Sequence, residues 1–145
     1  MKIHHIGYVV HDIKHAKENF ELLKYKVNSD LIFDKERNIY IQFLKHIDNG
    51  LVIELIQPLE FGYSNVSNIL KKLGDTPYHI CYEVKDINKE IDRLINNNFI
   101  FIDLPKQAIA IDNNKVAFLY KKNIGIIELV EINNRIDNSA IDTSE

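Results

Sequence analysis

Two segments of this chain, separated by 74 residues, resemble each other closely. Residues 5–13 read HIGYVVHDI and residues 79–87 read HICYEVKDI, so six of the nine positions are identical. The same spacing places the tripeptide Ile-Glu-Leu at 53–55 onto the same tripeptide at 127–129. A register that is kept over so many intervening residues indicates two copies of one structural unit.

Each copy is predicted to contain a strand, a helix and three further strands. In both copies a short β-branched segment leads into an aspartate, Asp12 or Asp86, which is a favourable helix N-cap. Apolar residues then recur at helical spacing, and we expect them to form the buried helix faces: Ile13, Ala16, Phe20 and Leu23 in the first copy, and Ile87, Ile91, Leu94 and Ile95 in the second. Strands are predicted at 3–10, 27–33, 39–44 and 51–57, and at 77–84, 99–104, 115–120 and 125–132. The sequence therefore predicts an α+β fold of two βαβββ modules.

A chain of 145 residues is close to the usual size of a single domain. We expect one domain over residues 1–132, with repeat one at about 1–58, a linker at 59–76 and repeat two at about 77–132. The linker is predicted to hold a short helix at about 64–72. Residues 133–145 are polar and have no apolar periodicity, so we expect a flexible tail.

Composition excludes several classes of protein. The single cysteine, Cys81, rules out an intramolecular disulfide framework and a CxxC zinc or redox motif. A net charge of −3 without a long basic run argues against a nucleic-acid partner. No apolar run approaches the roughly 20 residues that a membrane span needs, and no signal peptide is evident. We therefore expect a cytoplasmic protein that acts on a small molecule, without nucleic acid or membrane as partner.

Four residues at equivalent positions of the two repeats predict a metal centre. They are His5 and Glu54 in repeat one and His79 and Glu128 in repeat two. Equivalent residues of a duplicated unit converge on its pseudo-twofold axis when they face inward, and each glutamate lies within an apolar strand, where an unpaired carboxylate is costly. Imidazole and carboxylate ligands suit divalent Zn, Ni, Co, Mn or Fe. The alternative is a purely structural polar cluster.

Strand alternation identifies further residues near this centre. Cys81 shares a face with His79, and we expect it to be a small buried residue and not a ligand. Tyr40 and Gln42 either line the cavity or pack elsewhere. The remaining histidines are predicted at the surface: His4, His11, His15 and His46.

The pattern resembles the vicinal oxygen chelate superfamily, which includes glyoxalase I, methylmalonyl-CoA epimerase, extradiol dioxygenases and the bleomycin and fosfomycin resistance proteins. The motifs that carry the resemblance are HIGYVV at 5–10, VIELIQP at 52–58, YHICYEVKDI at 78–87, and VAFL at 116–119 followed by GIIEL at 125–129. Together they span nearly the whole chain. The resemblance implies that the two modules form a curved mixed sheet around a metal-binding cup.

The His, Glu, His, Glu order is similar to that of the glyoxalase I and epimerase branches. It implies an enzyme that moves a proton next to a carbonyl, on a small thiol adduct or an acyl thioester, with Glu128 as base and Glu54 as its counterpart. The reaction would be an isomerisation, an epimerisation or a glyoxalase-type lyase reaction. Residues 63–72 resemble the segment that precedes the second histidine in epimerases, with Asn65 in place of proline. The alternative is a non-catalytic module that sequesters a ligand in the same cup. Relatives also lead us to expect a homodimer.

Overall fold

The computed structural model describes residues 1–59, 64 and 66–133, apart from the side chains of 104–106. Its strands in repeat one are β1 (Lys2–Val9), β2 (Tyr25–Val27), β3 (Ile32–Asp34), β4 (Ile39–His46) and β5 (Val52–Pro58). Those of repeat two are β6 (Thr76–Val84), β7 (Ile100–Ala108), β8 (Asn114–Lys121) and β9 (Gly125–Glu131). The helices are α1 (Ile13–Leu22), α2 (Ser67–Leu73) and α3 (Ile87–Asn96), with a 3₁₀ turn at Ile109–Ile111.

The strands of the described residues form one curved mixed sheet with the order β2-β4-β5-β1-β6-β9-β8-β7, and β3 also pairs with β4. The first strand of each repeat pairs in parallel with the last strand of the same repeat, β1 with β5 and β6 with β9. The two repeats meet where β1 and β6 pair antiparallel. Ile6 lies opposite Ile80, its equivalent at the 74-residue spacing, so the pseudo-twofold axis passes through this pair. The predicted α+β fold is confirmed.

Within the described residues, three apolar cores hold the sheet and helices together. One lies under α1, where Ile13 packs with Leu44, Ile53 and Leu55. A second lies under α3, where Ile87 packs with Leu119 and Leu129. The third core lines the inner face of the sheet, and its buried residues include Val9, Ile41, Phe43, Ile56, Cys81, Val116 and Val130. Buried apolar area of this kind supplies most of the free energy that stabilises the fold.

Both long helices begin in the same way. The side chains of Asp12 and Asp86 accept hydrogen bonds from backbone N–H groups of the first turn, as the sequence predicts for N-caps. A second acceptor comes from the end of the parallel partner strand. Gln57 Oε1 accepts from Ile13 N at 2.9 Å, and Glu131 Oε2 accepts from Ile87 N at 3.0 Å. These contacts are again 74 residues apart, and they fix each helix on the sheet.

The structure corrects some predicted elements. The strand predicted at 27–33 is two short strands, because Ser29 Oγ accepts from Phe43 N and interrupts the ladder with a side-chain contact. Leu23 and Ile95 are exposed, at 62% and 44%, because they lie at the ends of α1 and α3 and off the buried stripe. The linker helix begins at Ser67 and not at 64. Residues 60–63 and 65 of the linker, and 134–145 of the predicted tail, lie outside the described residues.

Candidate metal centre

The pairing of β1 with β6 brings the two histidines together at the middle of the sheet. His79 lies opposite Gly7, and His5 lies opposite Cys81, one residue on either side of the axis pair. Both imidazoles are buried, with 0% of the His5 and 4% of the His79 surface exposed. Their Nε2 atoms are 3.2 Å apart.

The parallel partner strands add the two glutamates. Glu54 of β5 pairs with Gly7 of β1, and Glu128 of β9 pairs with Cys81 of β6. Each carboxylate is therefore placed beside the first strand of its own repeat and next to the axis. One ligand atom from each of the four side chains lies within 4.8 Å of all the others. The structure brings together the four residues that the sequence singled out.

The spacing of these atoms fits a bound divalent ion. Nε2 of His5 lies 3.5 Å from Glu54 Oε1 and 3.1 Å from Glu128 Oε1, and Nε2 of His79 lies 3.7 Å and 3.2 Å from the same oxygens. Donors held at about 2.0–2.2 Å around a tetrahedral zinc ion would be about 3.3–3.6 Å apart. The buried Glu128 Oε1 has no hydrogen-bond partner among the described residues, although both imidazoles are close. A cation would satisfy that oxygen.

The electrostatics of the cluster favour positive charge. Burial lowers the pKa of His5, but the nearby carboxylates of Glu54 and Glu128 outweigh burial and raise this pKa to about 10. Burial raises the pKa of Glu128, but its contacts with His5 and His79 outweigh burial and hold the pKa well below the ordinary value. Without an ion, a proton on His5 compensates the buried carboxylates. A divalent ion would take over this role and displace that proton.

The close approach of β1 to the His79 ring requires a glycine. A Cβ atom built on Gly7 would lie 2.0 Å from Cε1 and 2.4 Å from Nδ1 of His79. Carbon atoms in contact are ordinarily about 3.5–4.0 Å apart, so no side chain fits there while the ring keeps its position. Gly7 therefore allows the imidazole to lie against the neighbouring strand.

Beside the cluster lies a cavity of about 270 Å³. Of the four clustered side chains, Glu54 and Glu128 line it. Much of the remaining wall is apolar and includes Ile39, Ile41, Ile56, Val66, Phe118 and Ile126. A charged part of the wall is formed by Asp34 and Arg37, whose side chains form an ion pair at 2.8 Å. The arrangement allows two carboxylates to face a small molecule in a largely apolar environment.

Comparison with known proteins places this architecture. A family model described as "Glyoxalase/Bleomycin resistance protein/Dioxygenase superfamily" matches residues 4–118. The chain belongs to this superfamily. The resemblance that the sequence motifs indicate, to the vicinal oxygen chelate proteins, is thus confirmed. No curated protein matches the sequence significantly.

Solved structures of the superfamily include several similar ones. A hypothetical protein from Bacillus halodurans C-125 is 26% identical, with a TM-score of 0.80, and the match covers 92% of this chain and 96% of that one. Methylmalonyl-CoA epimerase from Mycobacterium tuberculosis is 21% identical, with a TM-score of 0.77 and coverages of 94% and 91%. A Streptomyces coelicolor methylmalonyl-CoA epimerase in complex with 2-nitronate-propionyl-CoA is 22% identical, with a TM-score of 0.75 and coverages of 90% and 96%. These likenesses show that the superfamily fold extends over most of the chain.

The other residues that the sequence placed near the centre have different positions. Cys81 is fully buried, and burial together with the charges of Glu128 and Glu54 raises the pKa of its thiol far above the ordinary value, so the thiol stays neutral. Tyr40 and Gln42 do not line the cavity. Tyr40 pairs with Gln57 and Gln42 pairs with Leu55, whereas Phe43, an odd number of residues away on the same strand, pairs with Glu54. They therefore belong to the opposite face of β4, where Gln42 donates to Ser29 O at 3.1 Å.

The histidines predicted at the surface divide into two pairs. His11 and His15 are exposed, and they lie near Asp75 and Asp12 respectively. His4 and His46 are half-buried. His46 packs on Tyr25, and His4 lies against His5, because its strand is irregular at this point. A consecutive pair of strand residues is ordinarily expected on opposite faces, and that expectation is wrong here.

Sequence reasoning missed two aromatic rings that pack on the imidazoles. The ring centroids of Phe43 and His5 are 5.6 Å apart, and those of Phe118 and His79 are 5.4 Å apart. The two phenylalanines pair with Glu54 and Glu128 respectively, so their positions are equivalent. Their spacing along the chain is 75 residues and not 74, so a comparison at constant spacing does not align them. Allowing one extra residue within repeat two, ahead of Phe118, would have found the pair.

The described part of the chain also bears on membrane association. No helix within it is long and apolar enough to cross a bilayer.

Proposed function

We propose that this member of the superfamily is a metal-dependent enzyme that moves a proton next to the carbonyl group of a small thiol adduct or acyl thioester. The observation that carries the proposal is the buried cluster of two imidazoles and two carboxylates, whose carboxylates also line a cavity. Burying a cluster of charged side chains lowers stability, since each charge loses its hydration, and a function is one reason for a protein to keep such a cluster. A site that both holds a cation and presents carboxylates to a cavity is typical of acid and base chemistry.

The four residues His5, Glu54, His79 and Glu128 would hold the ion. When bound, it would act as a Lewis acid that stabilises negative charge on a substrate oxygen. Glu128 takes the proton from the carbon next to the carbonyl, and Glu54 faces it from the strand of the other repeat. Because the carboxylates come from opposite sides of the pseudo-twofold axis, one can remove a proton and the other can return it on the opposite face. Such a transfer is an isomerisation or an epimerisation.

The size of the cavity supports a small reacting group. A volume of about 270 Å³ accommodates an acyl group or a short thiol adduct, and it is slightly below the roughly 300–1,000 Å³ of sites that enclose a whole drug-sized ligand. The apolar wall would exclude water from the reacting carbon, which strengthens the electrostatic interactions there. Two of the similar structures are methylmalonyl-CoA epimerases, one of them with a propionyl-CoA derivative bound. They support an acyl thioester as the first substrate class to test.

The reaction is tested by proton exchange in deuterated water, followed by NMR, across 2-oxo thiol adducts and 2-methyl-branched acyl-CoA thioesters. Zinc, nickel, cobalt, manganese and iron should each be supplied to protein purified without an affinity tag. We expect deuterium at the carbon next to the carbonyl of one substrate class. Absence of exchange with every substrate and every metal would reject the proposal.

The role of Glu128 is tested by Glu128→Gln, which keeps an oxygen ligand but removes the base. We expect the metal to stay bound and turnover to fall by about 10²–10⁴-fold, the usual contribution of a positioned base. Glu131→Gln is the matched control, because Glu131 lies on the same strand and caps α3, and glutamine can still accept from Ile87 N. Unchanged turnover in Glu128→Gln would assign the base to Glu54 or to a metal-bound hydroxide. If the metal-free protein binds an apolar ligand, and Glu128→Gln binds it as tightly as Glu131→Gln does, sequestration is favoured over catalysis.

A further inference from the structure

A bulge in β1 places a third histidine, His4, against the metal centre. Ile3 pairs with Tyr82 and His5 pairs with Cys81, so His4 is an extra residue without an opposite partner in the ladder. In a regular strand the side chains of His4 and His5 would point to opposite faces. Here the two rings meet edge to face with centroids 5.1 Å apart, and their Nδ1 atoms are 2.8 Å apart. This distance is that of a hydrogen bond.

We propose that His4 is a positioning residue that accepts a hydrogen bond from Nδ1–H of His5 and thereby keeps the Nε2 lone pair of His5 available for the metal. The inference rests on the proposed metal centre and goes beyond it, because it assigns a role to a residue that lies outside the four ligands. Nε2 of His5 faces the cluster, whereas Nδ1 faces His4. If His4 donated instead, a neutral His5 would carry its proton on Nε2 and could not bind an ion there. A bound ion therefore fixes the direction of this hydrogen bond.

The second repeat supplies an internal comparison. Tyr78 is equivalent to His4, and it too is skipped in the ladder, since Gly7 pairs with His79 and Tyr8 pairs with Pro77. The ring of Tyr78 contacts the His79 ring with centroids 4.4 Å apart. Nonetheless Nδ1 of His79 is buried and has no hydrogen-bond partner among the described residues. The two repeats therefore contribute equivalent histidines, but only the Nδ1 of His5 has a hydrogen-bond partner among the described residues.

The physical consequence is a measurable difference in metal affinity. Groups that orient a ligating histidine typically change metal affinity by about 10–100-fold when they are removed. His4→Phe keeps an aromatic ring in the bulge but removes the acceptor. His4→Asn keeps an acceptor, because its side-chain oxygen can occupy nearly the place of Nδ1. His15→Phe removes an exposed histidine that lies outside the cluster, and it controls for zinc bound at the surface.

The experiment is a zinc titration of untagged protein against a chromophoric chelator, with circular dichroism to verify folding. We expect one zinc ion per chain for the wild type, an affinity about 10–100-fold lower for His4→Phe, and an affinity within about threefold of wild type for His4→Asn and His15→Phe. NMR of zinc-loaded, ¹⁵N-histidine-labelled protein should show a scalar coupling between the Nδ1 nuclei of His4 and His5. The coupling would establish the hydrogen bond, and the rescue by asparagine would establish that its acceptor supports the metal, which a merely structural role for His4 would not produce.

Three results would overturn the inference. The first is a wild-type affinity in His4→Phe, and the second is an equal loss in His4→Asn, which would show that packing and not the acceptor matters. The third is binding of two zinc ions per chain, one of them dependent on His4 and Cys81, which would make His4 a ligand. His5→Ala separates this failure from that of the proposed function. If wild type binds one zinc ion and His5→Ala loses it, the metal centre stands whatever His4 does. If wild type binds none, both fail.

Discussion

The substitution Gly7→Ala should damage the proposed metal centre although it adds one methyl group outside the proposed ligand set. Gly7 has no positive φ, so alanine carries no backbone penalty there. The whole effect must come from the contact with His79, whose Cε1 atom would lie 2.0 Å from the new Cβ. To reach an ordinary carbon contact of about 3.5–4.0 Å, the ring must move by roughly 1.5–2 Å. Metal-to-ligand distances tolerate only about 0.2 Å.

We therefore expect Gly7→Ala to lose His79 as a ligand. Zinc affinity should fall by more than the 10–100-fold that is typical for loss of a supporting residue, since a ligand itself is displaced. The free energy of unfolding without metal should fall by about 1–3 kcal/mol, the usual cost of excess volume in a packed core. Zinc titration and urea denaturation measure the two effects separately.

Gly74→Ala is the matched control for this prediction. Gly74 has a φ of +72°, and a Cβ there would meet no atom within 4 Å. Alanine at this position should lower the free energy of unfolding by about 1–3 kcal/mol through backbone strain, because this φ with a ψ of −160° is a conformation that almost only glycine adopts, and zinc affinity should be unchanged. Wild-type zinc affinity in Gly7→Ala would refute the reasoning, because it would show that the His79 ring does not need its place against β1.

Three further predictions follow from the same geometry. His5→Ala and His79→Ala should each reduce zinc occupancy sharply, as metal analysis would show. Because the ion stabilises only the folded chain, a chelator should lower the thermal midpoint of wild type more than that of either variant in a thermal melt. Glu131→Ala should lower the free energy of unfolding by about 0.5–2 kcal/mol in a urea titration, because α3 loses an acceptor for Ile87 N, while zinc affinity stays at the wild-type value. Truncation after residue 134 should leave folding and zinc content intact, because β9 ends at Glu131, and loss of zinc on truncation would contradict the predicted domain boundary.

Much of the fold could be predicted because the duplication makes two weak signals support each other. A histidine in one short strand has many explanations, but His5 and His79 at equivalent positions imply a common axis. The pairing of Ile6 with Ile80 shows where that axis lies. The expected homodimer, the cytoplasmic location and the domain boundaries stay predictions.

The face of the sheet on which each side chain lies was harder to predict. The sequence leaves Tyr40 and Gln42 either lining the cavity or packing elsewhere, because alternation shows which residues of β4 share a face but not which face lies inside, and a shift of one residue moves every side chain to the other face. The pairing of β4 with β5, in which Phe43 lies opposite Glu54, decides between the two faces. The bulge at His4 has the same origin, because it is defined by which residue of β6 each residue of β1 faces.

The duplicated centre has a cavity whose walls are not duplicated. The charged residues that line the wall, besides Glu54 and Glu128, are Asp103 in repeat two and Glu36, Asp34 and Arg37 in repeat one, and the last two form an ion pair. Their equivalents at the 74-residue spacing, Ala108 and Ile111, also line the cavity and are apolar. A pair of ligand sets related by pseudo-symmetry cannot by itself distinguish the two ends of a bound molecule. The unequal walls can, since the ion pair of Asp34 and Arg37 lies on one side only, and a molecule with one polar end gains hydrogen bonds to it in one orientation and not in the other. The pseudo-twofold symmetry thus places the four clustered side chains. The asymmetry of the cavity wall would fix the orientation of a bound molecule relative to Glu54 and Glu128.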